Sequence, residues 1–232
     1  MTLAAALFSY GPYFALFGFL AARMYRWGIL RDQVAAPAEP IGPAAEGALA
    51  LGFAALAVGH LTTLLAPGAM RALLSDPDRI AVVETVGLTA ALLFAWGIGA
   101  RLRSRVRALR AGRPRQGGPV VVLSLLLAVA LSGAYLAVSQ RWITVWYAYI
   151  WVPFARSLLV LEPQTGAMAA SPWVLQQHVL LLLAFAAAWP MAALPLEEIF
   201  PLRAVARRFV EGSIEAGGDG ATAAETPAEP GR

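Results

Sequence analysis

The chain has 232 residues, of which 59% are apolar and 14% charged, and its mean hydropathy is +0.64, a balance that excludes a soluble globular domain of this length and points to a membrane protein. Cysteine is absent, which excludes disulfides, thiolate metal sites and cysteine-held iron–sulfur clusters, so any redox chemistry needs a cofactor supplied from outside the chain. The 18 basic residues are all Arg and give a net charge of +4, but no nucleic-acid motif accompanies them and no nucleic-acid partner is expected.

Five apolar stretches reach the roughly 20 residues that cross a hydrocarbon core of about 30 Å as a helix. The first is Leu3–Ala22; its first charge, Arg23, lies behind it, the reverse of a signal peptide, so this span is expected to stay. The proline- and alanine-rich stretch "AAPAEPIGPAAE" reads as a linker into the second span, Glu46–Ala66. That span carries Ala48, Gly52, Ala55 and Gly59 at alternating spacings of four and three, a smooth stripe suited to close helix packing or to the flat edge of a macrocycle. "SDPDR" then gives a helix start, Asp76 followed by Pro77, ahead of the third span, Ile80–Ala100. Glu84 lies one turn inside that span, where a carboxylate needs a reason to be. The run "RLRSRVRALRAGRPRQGG" follows and reads as a loop at the lipid headgroups that fixes topology.

The fourth span, Val120–Ser139, contains Gly133, a second place where a macrocycle edge would fit. After it, "WITVWYAYIWVPF" sets Trp142, Trp146, Tyr149 and Pro153 near helical spacing, which predicts a short helix lying along the membrane surface. The fifth span is Trp173–Leu196. Residues 212–232 have the composition of a disordered tail, so the expected organisation is one five-helix domain over 1–211 plus that tail. No internal repeat is evident, which argues against an inverted-repeat transporter. With the N-terminus outside, the inner segments hold fourteen Arg and the outer loops four, which predicts an N-out, C-in topology with the tail in the cytoplasm. The predicted fold is therefore all-α, a five-helix transmembrane bundle.

The chain has only two histidines, and both fall inside spans. His60 lies about six residues before the outer end of the second span and His178 about six after the outer start of the fifth. At 1.5 Å per residue both rings sit roughly 9 Å below the outer edge. Two imidazoles on different helices at one depth suit a haem iron held from both sides; hydrogen bonding of each ring to a neighbouring helix is the alternative.

The stretches "AVGHLTTLLAPGAM" and "WVPFARSLLVLEPQTGAMAASPWVLQQHVLLLLAFAAAWPM", with Pro190 and Pro201 beyond, resemble the gamma subunit of respiratory nitrate reductases, a family of five-helix membrane cytochromes b. The resemblance covers about residues 5–210. It implies a multi-pass protein of a bacterial or archaeal plasma membrane that anchors catalytic and iron–sulfur or cytochrome subunits of a redox complex, and it implies haem b as cofactor and quinol as electron donor. Family members usually hold two haems with four histidines. Here Ala50 and Leu196 stand where the inner pair would be, so one haem, on His60 and His178, is the most that paired histidines can bind. Gly52, Gly59, Gly133 and Arg156 are then candidate cofactor contacts. Arg71 and Arg141 join Arg156 as possible propionate partners, and Arg79 and Glu84 are candidates for the quinone site, Glu84 as acceptor of a quinol proton. With the remaining haem near the outer edge, some 20 Å of core separates it from the inside, which favours a partner on the outer face at the 140–172 loop. No nucleotide loop or nucleophile–base constellation is present, so substrate chemistry belongs to a partner. The rival reading is a cofactor-free membrane scaffold or transporter built on the same fold.

Overall fold

A computed structural model describes residues 2–28, 35–36, 39–140, 142–192, 194–199 and 201. Among them there are no strands, and five helices are long and apolar enough to cross a membrane. The helices are α1 (Leu3–Gly28), α2 (Pro43–Leu65), α3 (Pro67–Leu73), α4 (Pro77–Arg110), α5 (Gly117–Ser139), α6 (Ile143–Trp146), α7 (Val152–Leu159), α8 (Gly166–Ala169), α9 (Trp173–Ala188) and α10 (Leu196–Ile199). The bundle is built as a chain of neighbours: α2 packs on α4, α4 on α5, α5 on α9 and α9 on α1.

Small residues set the closest of these contacts. A Cβ at Gly97 of α4 would stand 2.5 Å from Leu49 Cβ and 2.7 Å from Leu49 Cα, and one at Gly52 of α2 would stand 2.5 Å from the Phe94 nitrogen. The α2 and α4 backbones thus meet at two glycines, the packing that apolar helices use where no hydrophobic driving force separates them from lipid. Around this seam, in the half of the bundle toward the end of α9, Leu49, Phe94, Ile98, Leu123, Leu126 and Phe185 form the main apolar core.

The helix starts follow the sequence signals. Asp76 Oδ1 accepts from the Asp78 and Arg79 amides at 2.8 and 3.3 Å, with Pro77 in the first turn of α4, as the Asp-Pro pair predicts. Three expectations are corrected. The first part of the arginine run is helix rather than loop: α4 continues to Arg110, 34 residues in all, about 51 Å of helix against a core of about 30 Å. Arg105 is fully buried there; it donates to both carboxylate oxygens of Glu198 on α10, to the Ala36 carbonyl at 2.6 Å and to Gln116 Oε1 at 2.8 Å. Nor is the segment before α2 a free linker. Ala35 and Ile41 are buried, and the Glu39 carbonyl accepts from Ser104 Oγ at 2.7 Å. Finally, α9 ends at Ala188 and passes into a tighter turn over Trp189–Ala192, because Pro190 lacks the amide that would continue the α ladder. Leu196 therefore lies on α10, outside the fifth span.

The aromatic loop also departs from expectation. Its helical run extends from Ile143 to Leu159 with a π-type turn over Tyr147–Trp151, where the Val152 amide donates to the Tyr147 carbonyl five residues back. Pro153 explains the widening: it has no N–H to offer Tyr149, and its ring crowds that carbonyl. Beyond the turn α7 presses one face on the bundle: Phe154 meets Phe8 of α1 edge-on at 5.9 Å, and both are buried with Val179 of α9. Residue 141 and the predicted tail at 212–232 lie outside the described residues.

Candidate functional site

His60 lies five residues before the end of α2 and His178 five residues after the start of α9, which sets both rings roughly 7.5 Å inside the same face of the bundle. Among the described residues α2 and α9 share no substantial packing, since α4 and α5 intervene.

The hydrogen bonds decide the tautomers. His60 Nδ1 lies 2.8 Å from the Leu56 carbonyl, an acceptor only, so Nδ1 carries the proton. Ser132 Oγ donates to the Val129 carbonyl at 2.9 Å, and its oxygen is then free to accept from His178 Nδ1 at 2.8 Å. Each ring is tethered through Nδ1–H and keeps the Nε2 lone pair for a ligand, the state in which imidazole binds a metal. Ser132, the partner of His178, is a residue that sequence reading did not single out; its place beside Gly133 was the available signal.

The glycines divide. A Cβ at Gly133 would stand 3.1 Å from His178 Cε1, so the imidazole comes this close to α5 because residue 133 has no side chain. A Cβ at Gly59, next to His60, would meet nothing within 4 Å. Gly52, expected at a cofactor edge, belongs instead to the α2–α4 backbone contact, and the stripe in this part of α2 is a packing stripe. His60 is exposed along one side of α2. Tyr147 covers it, ring centroids 5.0 Å apart at 74°, with its hydroxyl 3.5 Å from the His60 carbonyl. Burial pushes the Tyr147 phenol up to about 12.

Residues 4–211 match the model of a family described as the nitrate reductase gamma subunit. The chain belongs to the nitrate reductase gamma subunit family. No curated protein sequence and no solved structure matches it. Membership in the nitrate reductase gamma family points to a multi-pass membrane cytochrome b subunit associated with a nitrate reductase complex, a type of subunit that generally carries haem b.

A haem in this gamma-family chain would take its protein ligands from the residues described above. Among the described residues no three His, Cys, Asp or Glu side chains converge, which rules against a metal ion held by a conventional protein cage there. A porphyrin supplies four of six ligands itself and needs only two from protein. The two imidazoles, on separate helices and each with Nε2 left unbonded by the protein, are the ligands this chain offers, with open space beside Gly59.

The remaining candidates are dispersed. Arg156 donates to the Leu64 carbonyl at 3.0 Å, answering one of the open carbonyls at the end of α2. Arg71 donates to the Ala148 carbonyl at 3.3 Å and lies 4.6 Å over the Tyr149 ring. Glu84 is half-buried, and its Oε1 accepts from Thr144 Oγ1 at 3.3 Å and from the Thr144 amide at 3.4 Å, capping the start of α6. Arg79 is exposed on the first turn of α4. Arg141 lies outside the described residues.

Proposed function

We propose that this chain is a haem b-carrying membrane subunit that passes electrons between membrane quinol and a partner oxidoreductase, with one haem held by His60 and His178. The observation that carries the reading is the matched pair of tethered imidazoles, each with Nε2 free, at one depth on helices that do not pack against each other. When bound, the haem supplies one-electron redox chemistry; the chain's own groups fix its ligands. Leu56 and Ser132 hold the imidazole tautomers and ring planes. Gly59 leaves open space beside His60, Gly133 admits the His178 ring against α5, and Tyr147 packs on His60. Glu84 is the carboxylate proposed to accept a quinol proton, with Arg79 beside the quinone, and Arg156 and Arg71 are the cations proposed to serve propionates.

In the N-out topology that the arginine distribution supports, the histidine pair lies toward the outside. The inner half is filled by apolar side chains, and Ala50 there is buried. Electrons then leave toward a partner on the outer side or through a cofactor of another subunit, and the catalytic, iron–sulfur or cytochrome subunits do the substrate chemistry. That filled inner half also favours the second reading, a cofactor-free scaffold or transporter on the same fold. The test is purification after expression with ample haem supply. A b-type absorption band lost in His60→Ala and in His178→Ala supports the first reading; a colourless wild-type protein supports the second.

A further inference from the structure

The turn after α7 exposes three large apolar residues in succession, Leu159 at 82%, Val160 at 66% and Leu161 at 74%. In a loop above the membrane these side chains would stand in water. Two neighbouring helices place them lower. Tyr13 of α1 donates through its hydroxyl to the Leu158 carbonyl at 3.2 Å, and Tyr13 lies ten residues, or roughly 15 Å, along α1 from Leu3. A tyrosine side chain leans toward the N-terminus of its helix, so Leu158 sits roughly 10 Å inside the end of α1. Leu158 also packs on the cluster of Phe8, Phe154, Met168 and Val179, in which Phe8 and Val179 lie roughly 7.5 and 9 Å along α1 and α9 from their starts, a similar depth.

The local chain is built to turn there. The Leu161 and Glu162 amides close on the Leu158 and Ser157 carbonyls at 3.2 and 3.1 Å, with Leu161 left-handed at φ 61°, a helix end normally given to glycine. The Gln164 amide then donates to Ser157 Oγ at 2.9 Å, and α8 leads the chain back toward Trp173. A side chain at the position where glycine is favoured keeps the third apolar group on the tip. On α1, Tyr10 and Phe17 are exposed within 60° of Tyr13 around the helix by its 100° step, so the lipid-facing band of α1 continues onto the turn. Glu162, exposed directly after the tip, limits the depth, because a carboxylate stays at the headgroups.

We propose that Leu159, Val160 and Leu161 form a re-entrant knuckle seated among the acyl chains of the leaflet on the N-terminal side of the bundle, just below the headgroups, with Glu162 at headgroup level. An interfacial element buries its apolar face about 5–10 Å into this boundary, the depth that both flanking helices give. The occupant is lipid.

The chain has no cysteine, so single-cysteine variants of the full chain can be labelled directly. Leu159→Cys and Val160→Cys carry a nitroxide in vesicles of phosphatidylcholine and phosphatidylglycerol. Collision with oxygen, which concentrates in lipid, is compared with collision with a water-soluble nickel chelate. Phe14→Cys on α1 is the lipid reference and Arg110→Cys at the end of α4 the water reference. The expected oxygen-to-nickel ratio at both knuckle positions matches Phe14→Cys and exceeds Arg110→Cys several-fold. A ratio like that of Arg110→Cys overturns the proposal in favour of a solvated loop. Shielding from both reagents overturns it in favour of a protein contact. Each position reads independently, so one poorly folded variant does not decide the matter.

Discussion

Glu198→Ala removes the carboxylate from a fully buried Arg105. Breaking one partner from a buried ion pair generally destabilises by about 3–5 kcal/mol, because the other charge is left without compensation. Arg105 keeps the Ala36 carbonyl and Gln116 Oε1, and the Glu198 side chain is 17% exposed, so the lower end, about 3 kcal/mol, is expected here. At about 2–4 °C per kcal/mol for a chain of this size, the melting temperature falls by roughly 6–12 °C. The seven tryptophans report unfolding in detergent by intrinsic fluorescence. Arg107→Ala is the matched control: its ion pair with Glu39 joins side chains 59% and 53% exposed and contributes about 0–1 kcal/mol. The double variant Arg105→Met with Glu198→Leu removes both charges and is expected to recover most of the loss. A Glu198→Ala melting point no lower than that of Arg107→Ala refutes the claim that a buried charge network closes this end of the bundle.

Two glycines of α4 should respond oppositely to alanine. Gly97→Ala forces a Cβ into the Leu49 backbone and is expected to lower the melting temperature despite alanine's higher helix propensity, whereas Gly99→Ala, with nothing within 4 Å of its Cβ, is expected to be neutral or stabilising by up to about 1 kcal/mol; equal shifts for the two would show that the α2–α4 contact is looser than described. Ser132→Ala deprives His178 of the acceptor that strengthens it as a ligand, so haem affinity is expected to fall about 10–100-fold and the midpoint potential to rise, with Ser132→Thr restoring both. Redox titration of the b band checks this, and a potential unchanged in Ser132→Ala would remove Ser132 from the positioning of His178.

The five spans were legible because a helix in hydrocarbon must be continuously apolar for about 20 residues, a signal that survives without knowledge of its neighbours. The two histidines were legible for the same reason: an imidazole in such a stretch stands out, and counting 1.5 Å per residue from each span end gives its depth. What lay beyond the sequence were contacts between segments far apart in the chain. Arg105 differs in no local way from Arg103 or Arg107, yet Glu198, ninety-three residues on, and the Ala36 carbonyl make it the buried one. Gly52 and Gly59 share one stripe, but α4 lies against the first and leaves the second open. Apolar length and residue spacing are properties of one helix by itself, whereas which polar group is enclosed, and by what, depends on the neighbour that folding brings alongside.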